Sequence, residues 1–387
     1  MRYALCHFLG YSMNPKLPGL YIHIPFCVSR CHYCDFYSST SLSSLPDFLN
    51  GLFREMEMYR HTFNPFDTVY IGGGTPSLLR PEQLETLLEK ARKVFGIMPE
   101  SEITVETNPA DLDQPFLESM RQAGINRINI GTQSFDERVL GFLGRRHSVK
   151  KALSAIEASR KAGFRNIGLD LIYGVPGQNL EGWLDSLDQA VVFLPEHISC
   201  YQLTLETATP LGRRYATGEF SIPGEEQQRE FFLETSRFLN DAGYTHYEVS
   251  NFALGSEYTS RHNQKYWDHS PYLGLGPAAH SFQFDQRWWN CRSLAQYLSS
   301  VSAGSLPVEG RETLTIEQMQ LEALYLGLRT KMGIDHQDFR NRYHADLLTE
   351  KKELLVKLKE AELISIQNGH LCPTVAGLAV ADRLALI

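Results

Sequence analysis

No run of ~18 apolar residues occurs anywhere in the 387-residue sequence, so no membrane-crossing helix is expected. There is no lysine- or arginine-rich stripe, and the net charge is −8. A nucleic-acid-binding role is therefore not expected. The opening MRYALCHFLGYSMNPK lacks a basic start followed by a sustained apolar core, so it does not read as a secretory signal. Neither a GxxxxGK(S/T) phosphate loop nor a GxGxxG turn is present. Low-complexity segments and long linkers are missing too. Cysteine is scarce, and three of the seven lie in one loop, which is no disulfide framework. Cys200, Cys291 and Cys372 read as small buried hydrophobes.

What is present is CxxxCxxC. Cys27, Cys31 and Cys34 sit in HIPFCVSRCHYCDFY, directly after the apolar, β-favouring run from Gly19 to Pro25. No fourth cysteine follows, since Asp35 and Phe36 come next. A cubane [4Fe-4S] cluster normally takes four thiolates, so three leave one iron open to a small molecule. S-adenosylmethionine (SAM) can chelate such an iron through its amino and carboxylate groups. An electron from the cluster then cleaves the sulfonium carbon–sulfur bond and releases a 5′-deoxyadenosyl radical. Zinc is the alternative occupant, although structural zinc favours four protein ligands in paired knuckles. An oxygen-sensitive cluster needs a reducing compartment, so a cytoplasmic location is expected.

Between residue 19 and about 206, strand-like and amphipathic segments alternate. Strands are expected at Gly19–Phe26, Asp67–Gly72, Glu102–Thr107, Arg127–Gly131, Asn166–Tyr173 and His197–Thr204. Pro81–Phe95 carries apolar residues at helical spacing, with Pro81 suited to a first turn and Gly96 to a stop. Six βα units with short connections predict an α/β fold, a partial, open TIM-like barrel with right-handed crossovers. Ligand-binding groups of such barrels gather where the strands end. Here those ends offer the cysteine loop, Gly72-Gly73-Gly74-Thr75-Pro76, Glu106 with Asn108, Gln133 with Ser134, Asp170 with Gly174, and Tyr201, Gln202 and Glu206. The glycine run reads either as a tight turn or as a backbone edge open to a ligand's amino group. Glu106 reads as a surface carboxylate or as an acceptor for that amino group.

Residues 207–311 form a mixed extension, with a helix expected at Pro223–Gly243 and one strand at Thr245–Phe252. Within it, Arg261-His262-Asn263-Gln264-Lys265-Tyr266-Trp267 places His262 and Tyr266 four apart on one helical face, with Asn263 and Trp267 on the adjacent face. Imidazole beside large rings suits either a packed core or a heme platform. His280, after the Gly274–Ala279 turn, is the second heme-ligand candidate. Residues 312–387 are expected as a small winged-helix-like module, with helices at Thr313–Arg329, Asp335–Tyr343 and Leu348–Ala361. An Asn368-Gly369 hairpin and a final helix complete it. Mixed charges favour a lid or protein-contact role there over DNA.

The cysteine loop with its flanks, Tyr21-Ile-His-Ile-Pro-Phe-Cys27 and Cys31-His-Tyr-Cys34-Asp-Phe36, resembles the radical SAM superfamily. More narrowly it resembles the oxygen-independent coproporphyrinogen oxidase family, from about Pro18 to the C-terminus. The tail at 1–17 lies before the likeness, and Met13 is an alternative start. In the oxidases of that family a further cysteine stands where this chain has Phe36. That departure points to the HemW-type heme chaperone branch. The resemblance implies that Tyr21, Tyr33, Gly73, Gly74, Thr75, Glu106, Gln133, Arg145 and Asp170 line the SAM site or its adjoining cavity. Tyr33 would wall the adenine and Arg145 would neutralise a carboxylate, with Arg146 next door as the competing assignment. The pattern HNxxYW is similar to one linked to heme in the chaperone branch, which implies His262, Asn263, Tyr266 and Trp267 as heme contacts. The implied partners are heme, heme-accepting apo-proteins such as respiratory ones, and an electron donor for the cluster, with the chain a monomer or dimer. The second function implied is oxidative decarboxylation of coproporphyrinogen III in porphyrin biosynthesis. A Gly73→Val change is expected to block SAM and spare the cluster.

Overall fold

The computed structural model describes residues 16–384. The N-terminal tail, with Cys6 and Met13, lies outside the described residues. Six parallel strands form the centre: β1 (Gly19–Ile24), β2 (Phe66–Gly73), β3 (Ile97–Thr107), β4 (Arg127–Gln133), β5 (Ile167–Tyr173) and β6 (His197–Gln202). They are joined by α1 (Leu45–Met58), α2 (Pro81–Phe95), α3 (Gln114–Gln122), α4 (Glu137–Leu143), α5 (Val149–Lys161) and α6 (Leu180–Val191). Pro81 opens α2 and Gly96 closes it at φ +63°, the left-handed conformation that glycine takes without cost. This is the partial TIM-like barrel.

Strand alternation sorts the residues between two faces. Val69, Ile71, Ile103, Val105, Ile128, Ile130, Leu169 and Leu171 join the helices in one apolar core with Leu52, Leu84, Leu117, Ile156 and Trp183. Burying each such side chain contributes about 1.5–3 kcal/mol. The intervening positions, Thr68, Tyr70, Thr104, Glu106, Arg127, Asn129, Asp170, His197 and Ser199, give the barrel a polar inner face.

After β6 the chain adds α7 (Pro210–Ala216), α8 (Glu225–Asp241), β7 (Thr245–Glu248), β8 (Asn251–Ala253), α9 (Arg261–Trp267), β9 (Tyr272–Leu275), β10 (His280–Gln283), β11 (Gln286–Asn290), α10 (Leu294–Ser302) and β12 (Val308–Thr313). These strands continue the same sheet at both edges, β8 and β7 beyond β6, and β9 to β12 beyond β1. The single strand expected at Thr245–Phe252 is instead a hairpin, pairing Thr245 with Ala253 and His246 with Phe252. No glycine or proline marks that reversal, so the sequence reads as continuous.

The C-terminal unit packs its own core around Leu324, Leu328, Phe339 and Leu371. Its antiparallel sheet joins Ile334–Asp335, His370–Pro373 and Ile364–Gln367. Asn368 (φ 49°) and Gly369 (φ 79°) make the expected left-handed turn. The helix expected at Leu348–Ala361 is two, Leu347–Glu350 and Lys352–Glu360, parted at Lys351. The unit docks on the β7–β8 turn, where Val249 N–H donates to Arg329 O at 2.8 Å and Lys331 N–H to Tyr247 O at 2.9 Å. Among the described residues no helix is long and apolar enough to cross a membrane.

Candidate functional site

The cysteine loop leaves the C-terminal end of β1 and is clamped along its length. Cys27 N–H donates to Ser39 O at 3.0 Å, and His32 N–H donates to Leu143 O at the end of α4, also at 3.0 Å. His32 O accepts from Leu211 N–H of α7 at 2.9 Å. A Cβ on Gly144 would lie 2.7 Å from the His32 ring, so that glycine admits the loop against α4. Tyr33 packs against the apolar cluster that contains Val139, Leu143, Ile172 and Leu203. Two donors reach the sulfurs: Arg145 Nη1 to Cys31 Sγ at 3.1 Å and Thr75 Oγ1 to Cys27 Sγ at 3.4 Å. Burial pushes the Cys34 thiol up to about 11, and the neighbouring Cys31 and Cys27 add to the rise. Among the described residues no three His, Cys, Asp or Glu side chains converge on a point as ligands of one metal ion. Three thiols on one rigid loop, two of them accepting hydrogen bonds, suit a polynuclear centre whose thiolates sit on separate irons.

Beside the loop runs the glycine edge. Gly74 N–H donates to Ile24 O at 2.8 Å, bringing the end of β2 against β1. A Cβ on Gly74 would lie 2.6 Å from Phe26 O, and one on Gly73 would lie 2.5 Å from the His23 ring. Gly73 also holds φ +105°, which side chains rarely adopt. Glu106 is fixed across this edge, accepting from Tyr70 OH at 2.8 Å and from Gly73 N–H at 3.1 Å. Burial, and then the Asp170 carboxylate, push its pKa up to about 7. Asp170 is itself pushed up to about 6 by burial, against the pull of Arg127 and Arg145. Gln133 is buried in the left-handed region at φ 66°, a conformation uncommon outside glycine. Gln133 Oε1 and Asp170 Oδ1 are buried without hydrogen-bond partners. Unpaired buried acceptors carry a desolvation cost that a bound donor would relieve.

Arg145 lies against the cysteine loop. Its Nη1 donates to Cys31 Sγ and its Nη2 to Gly131 O at 2.7 Å, while its buried Nε has no hydrogen-bond partner. Arg146 is drawn away into an ion pair with Asp111 at 2.5 Å. Tyr201 stays exposed, and Gln202 is tied to Gln228 of α8. Sequence reading passed over Arg127, fully buried with none of its three side-chain nitrogens hydrogen-bonded, and Gly131, whose Cβ would crowd Gln133 and Arg145. The signal was there as polar residues at every second position of β4.

The HNxxYW segment lies at the other end of the barrel. Ser260 Oγ caps α9 through Asn263 N–H, and the Glu102 carboxylate accepts from Arg261 N–H and His262 N–H, both at 3.1 Å. His262 is 1% exposed, and both ring nitrogens are engaged, with Thr68 Oγ1 and with Tyr266 OH, each at 2.9 Å. Burial holds its pKa down to about 3. A Cβ on Gly19, which opens β1, would touch the His262 ring, so His262 plugs the end where the strands begin. From there to the cysteine loop is about 16 Å along β1. Trp267 keeps its buried Nε1 unpaired, and Asn263 stays half-buried. The four motif residues do not share one open face, because His262 turns into the barrel.

The sequence matches the Radical SAM superfamily over residues 21–190 and the HemN C-terminal domain over residues 314–380. Superfamily membership carries with it a [4Fe-4S] cluster and SAM. A Heme chaperone HemW of Mycobacterium tuberculosis is 38% identical over 333 residues, 84% of this chain and 85% of that one. Heme chaperone HemW of Bacillus subtilis is 35% identical over 374 residues, 95% of this chain and 98% of its own. The solved structure of coproporphyrinogen III oxidase (HemN) from Escherichia coli superposes with a TM-score of 0.83 at 22% identity, covering 98% of this chain and 92% of that one. At that identity the oxidase speaks for the fold alone. With the cysteine loop, the glycine edge and full-length likeness in agreement, the chain belongs to the HemW family of the radical SAM superfamily.

Proposed function

We propose that this chain is a heme chaperone, holding a [4Fe-4S] cluster and SAM at the barrel mouth and passing heme to acceptor proteins. The observation that carries the reading is the likeness to named heme chaperones over nearly the whole of both chains. Phe36, 72% exposed where the oxidases carry a cysteine, agrees with it. Cys27, Cys31 and Cys34 would hold the cluster, with Arg145 and Thr75 donating to their sulfurs. When bound, the cluster supplies one electron to the SAM sulfonium. Glu106 accepts the SAM ammonium, Gly73 and Gly74 keep the backbone edge free of side chains, and Gln133 and Asp170 offer acceptors. Tyr21 and Tyr33 wall the cavity. We also propose a cytoplasmic location, a dedicated electron donor, and a division of the chain at about residues 206 and 311.

An anaerobic assay tests the reading. Reconstituted protein is titrated with heme and incubated with coproporphyrinogen III, SAM and reductant. Stoichiometric heme binding without conversion is expected. Robust protoporphyrinogen formation would overturn the chaperone reading in favour of the oxidase.

A further inference from the structure

We infer that the iron tetrapyrrole docks in a cleft of about 570 Å3 between β1, α9 and the β9–β11 strands, with His280 as its axial ligand. This rests on the chaperone reading above and names the site that reading leaves open.

An axial ligand must turn an imidazole lone pair toward open space. Two histidines near the cleft do not. His262 has both nitrogens bonded in the core, and His23 spends Nδ1 on Tyr21 OH at 3.1 Å and Nε2 on Tyr37 O at 2.9 Å. His280 opens β10, is exposed, and no described residue hydrogen-bonds its imidazole. Its ring lies over Trp289 of β11, centroids 6.0 Å apart and planes 27° from parallel.

The walls suit a flat macrocycle. Tyr266 and Tyr272 meet edge to face at 4.7 Å, and Trp289 and, from the cysteine loop, Phe36 add to the lining. Arg292 sits at the rim, donating to Asp35 O at 3.0 Å with its side chain 61% exposed, a cation of the kind that pairs with a propionate. The frame beneath is rigid. Buried Glu55 accepts from Gly276 N–H at 2.9 Å, Asn290 Nδ2 at 2.6 Å and Tyr297 OH at 2.7 Å, pinning both ends of the segment that carries His280. The HNxxYW motif then contributes Tyr266 to the cleft, and His262 positions that tyrosine through its hydroxyl. A cargo seated here touches the cysteine loop directly, through Asp35 and Phe36.

Hemin is titrated into the reconstituted full chain as wild type, H280A and H262N. In H280A, affinity is expected to fall by about tenfold or more, since losing even an outer-shell partner of a metal ligand costs that much and His280 is the ligand itself. Its Soret band should shift, and free imidazole should return the band toward wild type. His280 is exposed, so H280A should unfold at the wild-type temperature. H262N, which touches the cleft only through Tyr266, should lose less affinity than H280A, and free imidazole should not restore it. An unchanged spectrum in H280A with a lost one in H262N overturns the inference and leaves the chaperone reading standing. Failure of the wild type to bind hemin overturns both.

Discussion

Glu106 is where the site's electrostatics converge, because its carboxylate is held in place by Tyr70 and Gly73 yet raised to about 7. The sign follows from the shift. The raised pKa contributes stability below the ordinary value of 4.5, lost as pH rises through about 7. A bound ammonium reverses this by drawing the proton off. SAM affinity is therefore expected to rise with pH between about 6 and 8, up to about tenfold per unit of pKa displaced, and Glu106→Gln should flatten the profile in equilibrium binding. The cysteines are separable by substitution. Alanine at Cys27, Cys31 or Cys34 should abolish the iron–sulfur absorbance after reconstitution, whereas alanine at Cys200, Cys291 or Cys372 should keep it. Cluster loss in Cys291→Ala alone would point elsewhere. Gly73→Val is no clean probe of SAM. Its first clash is with His23, 2.5 Å away, and its φ of +105° excludes a branched side chain, so it should lower thermal stability whether or not SAM is added.

At the scale of elements, α9 acts as a stopper in the barrel. Thr68, Glu102 and Asp67 on β2 and β3 grip it through His262, the first-turn amides and Lys265 (Nζ to Asp67 Oδ1, 2.7 Å). His262→Ala leaves Thr68 Oγ1 and Tyr266 OH without their partner, a loss expected to cost about 1–3 kcal/mol for each buried group. Chemical denaturation should show that drop while the cluster absorbance of the folded fraction stays intact. Undiminished stability in His262→Ala would remove the stopper role. The spacing of HNxxYW was legible as a helix with His262 and Tyr266 on one face, and their rings do meet, at 5.3 Å. Which way that face turned was not legible, since helical periodicity ranks faces without saying what covers them.

Across the whole molecule, one twelve-stranded sheet ties the extension to the barrel, so the cleft proposed for heme and the cysteine loop share β1. The main core contains none of Cys27, Cys31 and Cys34. Chelating the metal should therefore leave far-UV circular dichroism nearly unchanged and expose only the loop to limited proteolysis, in contrast to small zinc domains that unfold without their ion. Global unfolding on chelation would show instead that the loop supports the barrel.

The barrel, its six strands and the cysteine loop at their mouth were readable from the sequence alone. Period-two runs, glycine stops and CxxxCxxC are local signals, and each is set by neighbours in the chain. The hairpin at 245–253, the pairing of β9 with β1 and the contact of Arg145 with Cys31 were not readable, because each depends on residues more than a hundred positions away or on a reversal without a turn signature. Choosing between His262 and His280 belongs to the same class. Both are histidines beside aromatic residues in sequence. Only packing put one ring between Thr68 and Tyr266 and left the other facing an open cleft, because burial and hydrogen-bond satisfaction are properties of the assembled sheet.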